Sequence, residues 1–229
     1  KQAQWLLVAS LSMEEFNMGM NVRDVLSLSP VLPVMVVHDL DSIANAAPAL
    51  FDGGIRAFEI TLRTPQALSA ITLLRQTLPP AAIIGAGTIT QVQHLQAAIQ
   101  AGAQFGVSPG FTPTLAQAVS HEALTFLPGV ATASEVMQAL DWGFDTFKLF
   151  PAAAIGGIPL LKSWAGPLAQ ARFCPTGGID ANNAADYLAL DNVLAVGGSW
   201  LMPADKVAQG DWQGISALAR QACSLSRHS

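Results

Sequence analysis

Residues 57–88 read AFEITLRTPQALSAITLLRQTLPPAAIIGAGT. Two apolar runs in this stretch, Ala57–Arg63 and Ala82–Thr88, have the length and composition of buried strands. A longer segment of mixed polar and apolar residues separates them, and Thr64-Pro65 places a capping hydroxyl and a proline at its start, as at many helix N-termini. The stretch therefore predicts a strand, a helix and a second strand parallel to the first.

The same unit recurs along the chain. Thr112-Pro113, the Thr132 and Glu135 pair, and Asp180 are typical of further helix starts. Eight predicted strands begin 19 to 26 residues apart: Val31–Val37, Ala57–Arg63, Ala82–Thr88, Phe105–Ser108, Leu124–Val130, Thr146–Phe150, Ala171–Pro175 and Val193–Gly197. This repetition favours a closed (β/α)8 TIM barrel. The alternative is an open doubly wound sheet, but the GxGxxG signature of such sheets does not follow the first strand.

The chain is predicted to form one domain, because no linker or shift in composition divides it. Residues 1–30 are interpreted as an N-terminal extension and an extra helix, residues 31–212 as the barrel, and residues 213–229 as a C-terminal helix and tail. Ser12 and Glu15 would open the extra helix. Its apolar face is expected to pack against the bottom of the barrel through Met18, Val22, Val25 and Leu26.

Composition narrows the class of protein. Of 229 residues, 51% are hydrophobic and 12% are charged, which suits a large buried core. The formal net charge of −5 offers no basic field for nucleic acid or an anionic membrane. The two cysteines, Cys174 and Cys223, give no disulfide framework, so a cytoplasmic setting is expected. The apolar run from Trp5 to Leu11 is too short to span a bilayer.

Lys148 is the most unusual residue in a predicted strand. It is one of four lysines and lies between Phe147 and Leu149. Strand alternation puts those two side chains on one face and Lys148 on the other, which is the barrel interior if helices cover the first face. Burial favours a neutral amine, and such an amine attacks ketones to form imines. A lysine that reaches the rim, or one paired with an acid, fits the position equally well.

Glu59, Thr61 and Arg63 share one face of the second predicted strand. A carboxylate beside a lysine can shuttle protons, and the planar guanidinium of Arg63 at the strand end suits a substrate carboxylate. A purely structural ion pair of Glu59 with Arg63 or with Lys148 is the alternative.

Two glycine pairs close the last two predicted strands, at Gly177-Gly178 and Gly197-Gly198, the second followed by Ser199. Loops at these positions are the usual phosphate site of such barrels, because backbone N–H groups there approach an anion closely. Gly85-Ala86-Gly87-Thr88 and Ser108-Pro109-Gly110 close two earlier strands, and simple turn chemistry explains them as well.

Other common catalytic signatures are missing. No two histidines have ligand-like spacing, and HxH and HExxH do not occur. Metal-dependent catalysis is therefore disfavoured, and no cofactor is expected. Cys174 lies between Phe173 and Pro175 and is interpreted as a small buried hydrophobic residue rather than a nucleophile.

Six motifs in order resemble the family of 2-keto-3-deoxy-6-phosphogluconate (KDPG) aldolase, also known as 4-hydroxy-2-oxoglutarate (KHG) aldolase. The resemblance runs from about Val31 to Trp212. The motifs are Glu59-Ile60-Thr61-Leu62-Arg63-Thr64, Gly85-Ala86-Gly87-Thr88, Ser108-Pro109-Gly110, Phe147-Lys148-Leu149-Phe150-Pro151, Arg172-Phe173-Cys174-Pro175-Thr176-Gly177-Gly178 and Gly197-Gly198-Ser199-Trp200. The resemblance implies a homotrimeric class I aldolase of the Entner–Doudoroff pathway that releases pyruvate from a phosphorylated keto sugar acid.

The resemblance also implies roles for single residues. Lys148 matches the imine-forming lysine and Glu59 matches the acid/base. The substrate-binding positions implied by the family are Arg63, Thr88, Pro109 and Phe150 around the pyruvyl end and Gly177, Gly178, Gly198 and Ser199 around the phosphate. The chain departs from the family pattern once, because Ala153 stands where the family commonly has glutamate.

Two other classes fit part of the pattern. A sugar-phosphate isomerase or epimerase would share the phosphate loops without an imine-forming lysine. A non-catalytic barrel would use the same pocket to bind a small ligand.

Overall fold

A computed structural model describes residues 20–225 of the chain. The nine short strands are β1 Val31–Met35, β2 Ala57–Thr61, β3 Ile83–Gly87, β4 Phe105–Val107, β5 Thr125–Leu127, β6 Gly129–Val130, β7 Thr146–Leu149, β8 Arg172–Pro175 and β9 Val196–Gly198. The helices in the described range are α1 Val22–Ser27, α2 Leu40–Asp52, α3 Ala67–Thr77, α4 Val92–Gln100, α5 Pro113–Ser120, α6 Ala133–Asp141, α7 Gly157–Trp164, α8 Ala184–Leu188, α9 Ala204–Gln209 and α10 Trp212–Cys223. A 3-10 turn, Ala153–Ile155, precedes α7.

The strands close into one parallel barrel, which confirms the predicted fold class. β1 pairs with β2 on one side and with β9 on the other. Two bridges, Phe173 to Val193 and Thr176 to Gly197, join the regions of β8 and β9. The fifth predicted strand is divided at Pro128, which has no N–H for the ladder. Its first part, β5, pairs with β4, and its second part, β6, pairs with β7.

Successive side chains along each strand point alternately to the helices outside the barrel and to the barrel interior. Phe58, Ile60, Phe147 and Leu149 are buried in the large cluster that includes the helices. Glu59 and Lys148 therefore point to the opposite face, inside the barrel, as predicted.

The amino-terminal end of the barrel is covered by α1. Val25 and Leu26 are buried in one cluster with the inward residues Leu32, Ala57 and Ile83. Arg23 forms an ion pair of 2.7 Å with Asp145, just before β7. α1 lies where the extra helix was predicted to pack against the barrel bottom. The proposed start of that helix at Ser12 and Glu15, together with Met18, lies outside the described residues, so the extra helix as a whole stays a prediction.

Local helix starts follow the sequence in two of four cases. Thr112 and Thr132 cap α5 and α6 with their side chains, and Glu135 completes the capping box at Thr132. The start proposed at Thr64-Pro65 is wrong, because α3 begins at Ala67 and the Thr64 hydroxyl donates to the carbonyl oxygen of Val37. Asp180 accepts a hydrogen bond from the Asn182 N–H in a turn, and α8 begins later, at Ala184.

Every helix within residues 20–225 is too short or too polar to cross a lipid bilayer. The described range holds the barrel, α1 and α10, whereas the proposed division of the whole chain into residues 1–30, 31–212 and 213–229 stays a prediction.

Candidate active site

Lys148 and Glu59 meet inside the barrel. β7 supplies the lysine and β2 the glutamate, and the Lys148 Nζ donates to Glu59 Oε1 at 3.1 Å. Their side chains are only 7% and 1% exposed. The second carboxylate oxygen, Glu59 Oε2, is buried and has no hydrogen-bond partner within residues 20–225. The pair therefore contains one satisfied and one unsatisfied carboxylate oxygen.

The wall beside Lys148 is partly aromatic. The ring centroid of Phe150 lies 5.4 Å from Lys148 Nζ, a distance at which an ammonium is attracted to the ring face. Phe150 and Pro151 are joined by a cis peptide bond. Thr61, which shares the inward face of β2, donates its hydroxyl to the carbonyl oxygen of Met35 at 2.9 Å and thus ties β2 to β1.

Three other predicted residues lie just past the carboxyl ends of neighbouring strands. Arg63 lies in the turn after β2 and is exposed, so its assignment to the strand itself was wrong. Thr88 follows β3 with a φ of 60°, in the left-handed region that few non-glycine residues adopt. Pro109 follows β4 and is half-buried. Because parallel strand ends meet on one rim of the barrel, all three surround the mouth above Lys148.

The glycine pairs form two adjacent loops on the same rim. Gly177 and Gly178 have φ values of 97° and 75°, which an L side chain rarely adopts. Gly198 ends β9, Ser199 follows it and is exposed, and the Thr176 to Gly197 bridge holds the two loops together. Within the described range, the N–H groups of Gly178 and Ser199 donate to no acceptor. Two unpaired N–H donors on one rim are suited to an anion.

Burial makes the thiol of Cys174 unreactive. It is fully buried in register with Lys148. Burial raises the pKa of its thiol to about 12, and the nearby Lys148 charge offsets this only in part. Since the thiolate is the reactive form, the interpretation of Cys174 as a small buried hydrophobic residue is confirmed.

Comparison with known proteins identifies the family. Residues 22–218 match the family model described as KDPG and KHG aldolase. The chain belongs to the KDPG and KHG aldolase family. It is 46% identical over 206 residues to the KHG/KDPG aldolase of Escherichia coli strain K12, an alignment that covers 90% of this chain and 96% of the relative.

Two solved structures of aldolases are closely similar to this family member. The KDPG aldolase of Legionella pneumophila, with pyruvate captured as a covalent carbinolamine intermediate, has a TM-score of 0.87 and 43% identity, covering 90% of this chain and 99% of that one. The enzyme of Zymomonas mobilis ZM4, with 3-phosphoglycerate, has a TM-score of 0.84 and 45% identity, covering 91% and 98%.

Sequence reasoning missed two supports of this aldolase site. Ser108 is buried, donates to the carbonyl oxygen of Gly110 at 2.7 Å and accepts from the Gly129 N–H at 3.2 Å, which fixes the loop of Pro109. Gly129 is in register with Lys148, and a Cβ there would lie 2.3 Å from the Pro109 carbonyl carbon. A glycine directly after Pro128 in a predicted strand was the available signal.

The second missed support is the segment after the lysine strand. The N–H groups of Ala152 and Ala153 donate to the carbonyl oxygens of Thr176 and Gly177 at 2.8 and 3.0 Å. A Cβ on Gly178 would lie 2.5 Å from the Cβ of Ala153. Ala153, where the family commonly has glutamate, therefore lies directly against the loop of Gly177 and Gly178.

Residues 20–225 contain no group of three or more His, Cys, Asp and Glu side chains placed to hold a metal ion. The prediction of metal-independent chemistry needs a test in solution.

Proposed function

We propose that the chain is a class I aldolase that cleaves KDPG to pyruvate and glyceraldehyde 3-phosphate. It also cleaves 4-hydroxy-2-oxoglutarate to pyruvate and glyoxylate, in line with the name of its Escherichia coli relative. The observation that carries the proposal is the buried Lys148 in contact with a glutamate that keeps one oxygen unpaired, in a member of this family.

Lys148 is proposed as the nucleophile. Transfer of its proton to Glu59 across the 3.1 Å contact leaves the neutral amine. The amine adds to the C2 ketone to give a carbinolamine. Glu59 then returns its proton to the carbinolamine hydroxyl, which leaves as water to give a protonated imine and restores the Glu59 carboxylate. The positive imine nitrogen then accepts the electron pair of the C3–C4 bond.

Glu59 is proposed to move the protons of cleavage. Through a bridging water it takes the proton from the C4 hydroxyl as the C3–C4 bond breaks, so C4 leaves as the aldehyde carbon of glyceraldehyde 3-phosphate. The remaining enamine takes a proton at C3 and becomes the imine of pyruvate. Water hydrolyses this imine, which frees pyruvate and the Lys148 amine.

The residues on the rim are proposed to hold the two ends of the substrate. Arg63 and Thr88 bind the pyruvyl carboxylate, and Pro109 and Phe150 line the pocket. The phosphate binds between the two glycine loops, which are formed by Gly177, Gly178, Gly198 and Ser199. The free backbone N–H groups of Gly178 and Ser199 and the Ser199 hydroxyl are its donors.

Reductive trapping tests the central step. Incubation with pyruvate and borohydride is expected to add a stable mass increment to Lys148, mapped by peptide mass spectrometry. Lys162 and Lys206 are the internal controls, because they lie outside the barrel interior on α7 and α9. An adduct on either of them contradicts the assignment of Lys148 as the nucleophile. The absence of any adduct favours an isomerase, an epimerase or a binding barrel.

The chain is further proposed to form a homotrimer in the cytoplasm. Met137 and Trp142, on and after α6, are 58% and 42% exposed, and large exposed apolar side chains are often covered by another subunit. Light scattering is expected to give three times the chain mass. A monomeric mass contradicts the assembly.

A further inference from the structure

Gly87 lies directly against the carboxylate of Glu59. It ends β3 and pairs in register with Thr61 of β2. A Cβ built on Gly87 would lie 2.1 Å from Glu59 Oε1, 2.6 Å from Cγ and 2.7 Å from Cδ. Non-bonded heavy atoms do not approach so closely, so a methyl group and this carboxylate cannot occupy their present positions together.

Backbone conformation does not explain the glycine. Gly87 is absent from the residues of the described range with positive φ, whereas the next residue, Thr88, has a φ of 60°. Glycine inside a strand also weakens the strand by about 0.5–1 kcal/mol relative to alanine. The remaining reason for glycine at this position is the space that it leaves.

Glu59 has little freedom to move out of that space. Its side chain is 1% exposed, and Oε1 is held by Lys148 at 3.1 Å. A shift large enough to admit a methyl group would change this distance. A buried carboxylate that lost its cation would also be strongly disfavoured.

We infer that Gly87 is a positioning residue, whose missing side chain leaves room for the Glu59 carboxylate beside Lys148. Gly87 touches no reacting atom in this scheme and acts through Glu59. The inference concerns the site of the proposed aldolase, but its steric part can be tested without any activity.

A denaturation cycle tests the steric part. Gly87→Ala is expected to lower the urea midpoint in the otherwise native chain. In the Glu59→Ala background the three clashing atoms are gone, so the same change is expected to lower the midpoint by less than half as much. If Glu59→Ala does not fold, Glu59→Asp, one methylene shorter, provides the second background. Equal shifts in both backgrounds overturn the inference.

Turnover tests the functional part, with Gly85→Ala as the matched control. Gly85 is on the same strand and face, but its Cβ would meet the ring of Phe105 at 2.4 Å instead of Glu59. Gly87→Ala is expected to lower turnover about 100-fold or more, the usual effect of misplacing an acid/base, and to change the pH profile of turnover. Gly85→Ala is expected to cost stability and to keep the native pH profile.

The outcomes separate this inference from the proposed function. An unchanged pH profile in Gly87→Ala, or the same change in Gly85→Ala, overturns the positioning role. Failure of the aldolase proposal appears elsewhere, as a loss of borohydride trapping on Lys148 in the unsubstituted protein.

Discussion

Replacing Gly178 with alanine is expected to damage phosphate binding and to spare the chemistry at Lys148. The φ of Gly178 is 75°, so an alanine there pays a left-handed backbone cost of about 1–2 kcal/mol. Its Cβ would also lie 2.5 Å from the Cβ of Ala153, which the Gly177 carbonyl oxygen holds in place. The loop must therefore move, and the N–H group of residue 178 moves with it.

The size of the effect follows from the hydrogen bonds at stake. A hydrogen bond to a charged group contributes about 1.5–3 kcal/mol, which corresponds to roughly a 10- to 150-fold rise in the KM for a phosphorylated substrate. Ser199→Ala removes one hydroxyl at an exposed position, so its effect is expected near the lower limit, about 10-fold.

The assay compares two substrates by the rate of pyruvate release. Both variants are expected to raise the KM for KDPG while that for unphosphorylated 4-hydroxy-2-oxoglutarate changes little. Gly143→Ala is the control, because Gly143 has a φ of 85° and nothing lies within 4 Å of its Cβ. It carries the same backbone cost without contact with the loop, so it should lower stability and leave both KM values unchanged. Equal rises on the two substrates would refute the phosphate assignment.

Four further predictions concern the chemistry of the site and the buried thiol beside it. Glu59→Gln keeps the shape of the side chain and is expected to lower turnover by ~10²–10⁴-fold while slow trapping of pyruvate persists; near-native turnover would exclude the acid/base role. Activity is expected to survive exhaustive chelation, and a loss restored by a divalent ion would favour metal-dependent chemistry. Cys174 is expected to resist alkylation in the native protein at pH 8, where the denatured chain reacts, because burial raises the pKa of this thiol to about 12. The raised pKa also makes the free energy of unfolding depend on pH, because the folded protein favours the protonated Cys174 thiol. The stability that this preference contributes is complete below the ordinary thiol pKa of 9.0 and is lost as the pH rises from there towards 12. Urea midpoints measured against pH will check this trend.

The sequence was sufficient for the barrel and for the central pair because both depend on simple periodicities. Strands and helices alternate at intervals that fit one repeated strand–helix unit. The alternation of side chains along a strand predicts that Glu59 and Lys148 point into the barrel from β2 and β7. The same reasoning erred where a tertiary contact competes with a local signal. The Thr64 hydroxyl bonds to the Val37 carbonyl oxygen, so α3 starts later than the Thr-Pro pair indicates.

The inward glycines could not be interpreted from sequence alone. Gly87 and Gly129 resemble ordinary turn or strand-end glycines, because the atoms that explain them belong to other strands and loops. A Cβ on Gly87 would meet Glu59, and one on Gly129 would meet Pro109. Such requirements depend on which side chain crosses the barrel at each level, and only the closed structure fixes that.

The Lys148–Glu59 contact differs from a structural ion pair in how its oxygens are used. The surface pair of Lys206 and Asp211 offers the comparison: Asp211 accepts from Lys206 at 2.6 Å with one oxygen and from the Gly214 N–H at 2.9 Å with the other. These hydrogen bonds lower the pKa of Asp211, and the bond to Asp211 raises the pKa of Lys206.

Glu59, in contrast, is buried with Oε2 unpaired within residues 20–225. An apolar pair of similar volume is often at least as stable as a buried ion pair. A chain that needed only stability at this level of the barrel gains nothing from the arrangement. A chain that must accept a proton from a substrate hydroxyl, or from the water beside it, needs a carboxylate oxygen with no other partner. The unpaired oxygen therefore supports the catalytic interpretation of the pair over the structural one.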